Sequence, residues 1–158
     1  MAEAGRRMTL TTTVNGVTHT LEVEPQELLL DVLRDRLDLK GAKRSCDVQV
    51  CGTCTVLLDG QPVSACTTLA LEAEGRRVMT IEGLAETPGF ARLEEVFEHH
   101  NALQCGYCTS GMALTITALL DAGELADDED VVREALAGNV CRCTGYRAII
   151  DAARELAR

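Results

Sequence analysis

Eight cysteines in two groups of four constrain this chain more than any other feature. They stand at positions 46, 51, 54 and 66, then at 105, 108, 141 and 143, with 38 cysteine-free residues (67–104) between the groups. Four sulfurs are the ligand set of a tetrahedral metal or of an iron–sulfur cluster, so two quartets imply two sites. The other common use of cysteine, a disulfide framework, belongs to oxidising compartments. No apolar run approaches the length of a membrane span. The pair Arg6-Arg7 is followed by Met8-Thr9-Leu10-Thr11-Thr12-Thr13, which is no apolar stretch of the kind a twin-arginine export signal carries. The expectation is a cytoplasmic protein whose cysteines hold metal.

Composition narrows the rest. The 158 residues suit one or two small domains, and 46% of them are apolar, enough for a packed core. Only Phe90, Phe97, Tyr107 and Tyr146 are aromatic, so that core must be built from Leu, Val, Ile and Ala. Fifteen basic against 25 acidic side chains give a formal charge of −10, which argues against a nucleic-acid partner bound through phosphate neutralisation.

Strand signals dominate the first half. Met8 to Val14 is rich in threonine, Asn15-Gly16 is a hairpin turn, and Val17 to Val23 alternates apolar with polar. Residues 25 to 37 switch to helical period, with Leu29, Val32, Leu33 and Leu37 on one face. Thr55 to Leu58 reads as a strand, Asp59-Gly60 as a second hairpin turn, and Arg77 to Ile81 as a last short strand. The pattern predicts a small α+β sheet domain over residues 8–83, preceded by a flexible tail, 1–7.

From residue 84 to 158 the period is helical, and four amphipathic helices with short loops predict a bundle. Thr87-Pro88 is the expected start of the first, with Phe90, Leu93 and Phe97 at helical spacing. The second runs from about Cys108 to Leu120 and stops at Gly123. A third is capped by Asp127, and the fourth follows Thr144-Gly145. The second quartet falls at helix starts, where backbone N–H groups and the dipole favour anionic thiolates.

Cys46-x4-Cys51-x2-Cys54 is the plant-type spacing for a [2Fe–2S] cluster, with Cys66 beyond the hairpin as its fourth ligand. A structural zinc would also accept four thiolates, although the x4-x2 spacing matches paired zinc knuckles poorly. Cys105-x2-Cys108 with Cys141-x-Cys143 is less diagnostic, and zinc competes there in earnest. A thioredoxin-like dithiol at Cys105–Cys108 would leave Cys141 and Cys143 without a role. His99-His100 reads as a helix-end dipole partner and His19 as an exposed strand residue. Asp127-Asp128-Glu129-Asp130 reads as a solvated helix start, since it lacks the glycine and distal glutamate of a calcium loop. The chain carries no triad, phosphate loop or dinucleotide fingerprint, so no substrate chemistry of its own is expected.

Three stretches add to this reading. Cys51-Gly52-Thr53-Cys54-Thr55-Val56-Leu57-Leu58-Asp59-Gly60, Gln104-Cys105-Gly106-Tyr107-Cys108-Thr109-Ser110-Gly111-Met112 and Cys141-Arg142-Cys143-Thr144-Gly145-Tyr146 together resemble the small iron–sulfur subunit of the molybdenum hydroxylases. That family includes xanthine dehydrogenase, aldehyde oxidoreductases and carbon monoxide dehydrogenase. The resemblance implies a plant-type ferredoxin-like (β-grasp) domain followed by an all-α four-helix domain, each with one [2Fe–2S] cluster. It implies a molybdopterin-bearing large subunit and an FAD-bearing medium subunit as partners, in a heterotrimer or a dimer of heterotrimers. Electrons would then pass singly from molybdenum through the helical-domain cluster and the ferredoxin-domain cluster to FAD or another acceptor. Gln104 and Cys143 match the family positions that approach the pterin; Gln104 would otherwise serve a loop carbonyl. Three residues depart from the family pattern: Gln49 and Ser45 where glycine is usual, and Ser110 where proline is usual.

Overall fold

The computed structural model describes residues 7–158, so the expected tail, apart from Arg7, lies outside the described residues. The first hairpin is as its sequence requires. Strands β1 (Met8–Val14) and β2 (Val17–Val23) pair antiparallel from Met8–Val23 to Val14–Val17. Asn15 and Gly16 turn the chain with φ of 49° and 82°, the two positive values that a tight hairpin needs. Leu10, Val14 and Val23 point inward and are buried, whereas His19 is half-buried rather than exposed.

The next helix is shorter than its periodicity predicts. Residues 24–28 form a turn in which Glu24 N–H donates to Glu27 Oε2 and Glu27 N–H to Glu24 O. Helix α1 (Leu29–Asp31) starts only at Leu29 and widens into a π-helical turn, Val32–Arg36. The cause is tertiary. Leu28 keeps an extended backbone and pairs with Leu69, while Leu29 and Leu30 give their N–H groups to Thr68 O and Ala65 O. The first donors of the helix are thus spent on the segment that carries Cys66, which fixes that segment in place.

Strands β3 (Thr55–Leu58) and β4 (Gln61–Ser64) form the second hairpin, a 3₁₀ turn spans Ala70–Ala73, and β5 (Arg77–Met79) completes a five-stranded sheet. Its order is β2-β1-β5-β3-β4, with β5 parallel to β1 and antiparallel to β3. Strand β5 ends at Met79, two residues early, because Asn15 captures Thr80 through two hydrogen bonds of 2.9 Å and Ile81 opens a helix, α2 (Ile81–Ala85). All four residues of β3 are buried. Alternation explains this: Val56 and Leu58 pack with Leu29, Leu30 and Leu33, whereas Leu57 joins the core of the helices on the other face.

Four further helices follow: α3 (Phe90–His99), α4 (Thr109–Asp121), α5 (Glu129–Ala135) and α6 (Arg147–Leu156). Phe97, Met112, Leu114, Ile116, Leu136 and Ile149 centre their core. Helix α4 has no charged residue before Asp121 and is buried from Ser110 to Ile116, as an apolar helix at the middle of a bundle should be. Two expected caps are displaced. Thr87 donates its hydroxyl back to Leu84 O and Gly89 precedes α3. Asp128 caps α5 by accepting from Asp130 N and Val131 N, while Asp127 instead pairs with Arg154 of the last helix and with Arg158 just beyond it. His99 and His100 do end α3, and His100 Nε2 lies 2.8 Å from Glu155 Oε2, tying α3 to α6. Among the described residues no helix is long and apolar enough to cross a membrane.

Candidate metal centres

Cys46 and Cys51 of the first quartet stand at the two ends of a loop whose backbone is bent inward. Asp47 and Gln49 have φ of 55° and 58°, so successive N–H groups converge on Cys46 Sγ, with Val50 N at 3.4 Å. Hydrogen bonds from Val48, Val50 and Cys51 pull the Cys46 thiol down to about 6. Gln49 occupies one of the two left-handed positions, a conformation open to glycine without strain; a side chain in this region costs roughly 1–2 kcal/mol. Cys51 Sγ lies 3.2 Å from Thr53 Oγ1 and beside Cys46. Cys54, at the foot of β3, contacts Cys66 beyond β4, and both are buried. Burial pushes the Cys54 thiol up to about 12.

The second quartet draws on two loops. Cys105 and Cys143 are exposed with their sulfurs 3.5 Å apart, while Cys108 and Cys141 meet deeper in the fold. Tyr107 N–H lowers the Cys105 thiol, and burial pushes Cys108, at the start of α4, up to about 12. At Cys141 burial acts upward, but the Thr144 hydroxyl, 3.2 Å away, and its N–H outweigh it. The hydrogen bond shared with Cys105 raises Cys143. Tyr146 holds this loop in shape. With φ of 68° it folds back so that its hydroxyl donates to Asn139 O (3.1 Å) and accepts from Cys141 N–H (2.9 Å). Gln104 is exposed beside Cys105 and makes no hydrogen bond among the described residues, to a loop carbonyl or otherwise.

The two loops touch. Val140 N–H donates to Cys51 O at 2.9 Å, and Asn139 Nδ2 to Gly52 O at 3.4 Å. Gly52 has φ of 66°, and a Cβ there would stand 2.6 Å from Gly138 O and Asn139 Nδ2. Gly111 on α4 lies against the Gly52 carbonyl from the other side. Sequence reasoning singled out neither Asn139 nor Val140, and no local signal marks them: their role depends on a partner nearly ninety residues away.

The donor sets fit metal. All eight thiols are free, and each quartet combines sulfurs activated by N–H or hydroxyl donors with a sulfur whose burial makes an isolated thiolate costly. Only a cationic centre lets four such thiolates ionise together. Iron and zinc both satisfy that condition.

Comparison with known proteins separates them. Residues 12–80 match the family described as the 2Fe-2S iron-sulfur cluster binding domain, and residues 80–154 the [2Fe-2S] binding domain. The chain is 50% identical over 143 residues to the 6-hydroxypseudooxynicotine dehydrogenase complex subunit beta of Paenarthrobacter nicotinovorans, covering 90% of this chain and 89% of that one. It is 41% identical over 148 residues to the nicotinate dehydrogenase small FeS subunit of Eubacterium barkeri, covering 94% of each. Among solved structures, quinoline 2-oxidoreductase from Pseudomonas putida 86 superposes with a TM-score of 0.88 at 44% identity, over 97% of this chain and 94% of the other. The aldehyde oxidoreductase of Desulfovibrio desulfuricans gives 0.86 at 40% identity, with 94% of this chain matching 17% of a longer one.

Proposed function

Because this chain belongs to the family of small iron–sulfur subunits of the molybdenum hydroxylases, electron-transfer components of multi-subunit oxidoreductases, we propose that it holds two [2Fe–2S] clusters and relays electrons between its partners. Cys46, Cys51, Cys54 and Cys66 hold the first, and Cys105, Cys108, Cys141 and Cys143 the second. Each cluster supplies one-electron chemistry when bound. The observation that supports this best is the direct contact between the two cysteine loops, at Val140 N–H and Cys51 O. A pair of unrelated structural staples has no need of that contact, whereas a relay needs its stations close.

The residues around the sulfurs do the rest. N–H groups of Val48, Val50 and Cys51 on Cys46, and of Tyr107 on Cys105, stabilise negative charge on those ligands. Exposed Cys105, Cys143 and Gln104 form one open face, the side proposed to meet the molybdopterin of a large subunit. The opposite partner is an FAD-bearing medium subunit, the assembly a heterotrimer or its dimer, and the setting cytoplasmic. Residues 8–83 and 84–158 act as the two cluster domains, joined through Leu57 and the Gly52–Gly111 contact.

Iron and acid-labile sulfide, counted on protein purified with its partners, test the reading. Two [2Fe–2S] clusters require about four of each per chain. About two of each, with one zinc, would reduce the helical half to a structural staple and end the relay. A second test concerns Gln104→Ala. Both cluster signals should persist while their reduction by substrate slows roughly tenfold, the lower range for loss of an outer-shell partner. Unchanged reduction kinetics would remove the pterin contact from the proposal.

A further inference from the structure

Lys43 belongs to one site by its backbone and to the other by its side chain. Its N–H donates to Thr53 O at 3.0 Å and its carbonyl accepts from Thr53 Oγ1 at 3.1 Å, and Thr53 stands between Cys51 and Cys54. The half-buried side chain leaves that loop and crosses to the second site. There the ammonium donates to Ser110 Oγ at 3.2 Å and to Gly41 O at 3.1 Å, and lies 5.9 Å from the centre of the Tyr107 ring. Tyr107 and Ser110 stand on either side of Cys108 in the chain; burial lowers the Lys43 pKa and the Glu82 carboxylate opposes that. The ammonium is pinned: Ser110 Oγ also donates to Gly41 O at 2.7 Å, and Tyr107 OH donates to Arg44 O at 2.5 Å. Its counterpart is Glu82, which accepts from Gly41 N–H at 2.7 Å and acts on Lys43 with opposite charge.

Resting on the two-cluster reading, we propose that Lys43, carried by the loop of the first site, supplies the fixed positive charge that sets the reduction potential of the second. An added electron makes a thiolate-ligated site more negative, so a cation held beside it in a partly desolvated seam favours reduction. Arg142, between Cys141 and Cys143, is exposed, and solvent screens its charge far more effectively. The first half of the chain thereby tunes the site held by the second half, and the tuning is lost if the two separate.

The experiment is a redox titration of both cluster signals by electron paramagnetic resonance in the purified complex, with iron counted in each variant. The signal that survives in a Cys66→Ser variant identifies the second site. Lys43→Met should move that signal to more negative potentials and leave the other in place, while Lys43→Arg holds it near the wild-type value. Glu82→Gln, which removes the opposing charge, should move it the other way and decides the matter if Lys43→Met loses iron. An unmoved second signal in an iron-replete variant, or equal movement of both signals, would overturn the proposal. Failure to find two signals in the wild-type complex would instead overturn the two-cluster reading.

Discussion

Replacing Gly111 with alanine should lower the stability of the whole chain by about 2 kcal/mol or more. Alanine is the better helix former, by about 1 kcal/mol, and α4 would gain from it in isolation. The methyl group, however, would be driven into the carbonyl oxygen of Gly52, which is backbone and cannot rotate away. Forced overpacking costs typically 1–3 kcal/mol, occasionally more, and a collision with a main-chain atom belongs at the upper end. Relief requires α4 and the Cys51–Cys54 loop to separate, which also breaks the Asn139–Gly52 and Val140–Cys51 hydrogen bonds. For a chain of this length the loss corresponds to a fall in melting temperature of roughly 4–8 °C. Thermal denaturation followed by circular dichroism measures it, and a melting temperature at or above wild type would show that the seam is not tightly packed.

Cys66→Ser should remove the first cluster and spare the second, taking iron from about four to about two atoms per chain. Cys66 is buried, contacts Cys54 and comes from a different element than the other three sulfurs, so no neighbouring side chain can take its place. A serine hydroxyl fills the space without readily giving up its proton, and the thiolate is the metal ligand. The second quartet hangs on the loops before α4 and α6, and Cys66 supports neither. Iron analysis with electron paramagnetic resonance reads the result. Loss of both signals would mean that the halves do not fold independently, or that the quartets are drawn differently.

Much of this was legible in the sequence. Asn15-Gly16 and Asp59-Gly60 demand positive φ at both residues of each pair, and the structure turns there. Such turns are local, so local chemistry decides them. The helical core was equally readable, because Phe97, Ile149 and Ile150 repeat with the period of the helices that bury them. The failures are non-local. Residues 25–28 have helical period but are held in a turn, since Leu28 pairs with Leu69 instead. Thr87 and Asp127 are good cap residues one or two positions from where a cap was needed, and each found another partner. Helix α2 begins at Ile81, the last residue of an expected strand, because Asn15, sixty-five residues away, captures Thr80 and β5 ends at Met79.

The same division holds for the candidate centres. The sequence by itself set eight cysteines in two groups of four along the chain, and covalent spacing alone keeps Cys46, Cys51 and Cys54 close to one another. Tertiary structure alone decided how the groups relate. It set Gly111 against Gly52, Val140 against Cys51 and the Lys43 side chain against Tyr107 and Ser110, contacts between segments of roughly sixty to ninety residues' separation. No periodicity encodes such pairs. They exist because Leu57 on one face of β3 and the apolar surface of α4 bury each other, and that burial carries the two cysteine loops into contact.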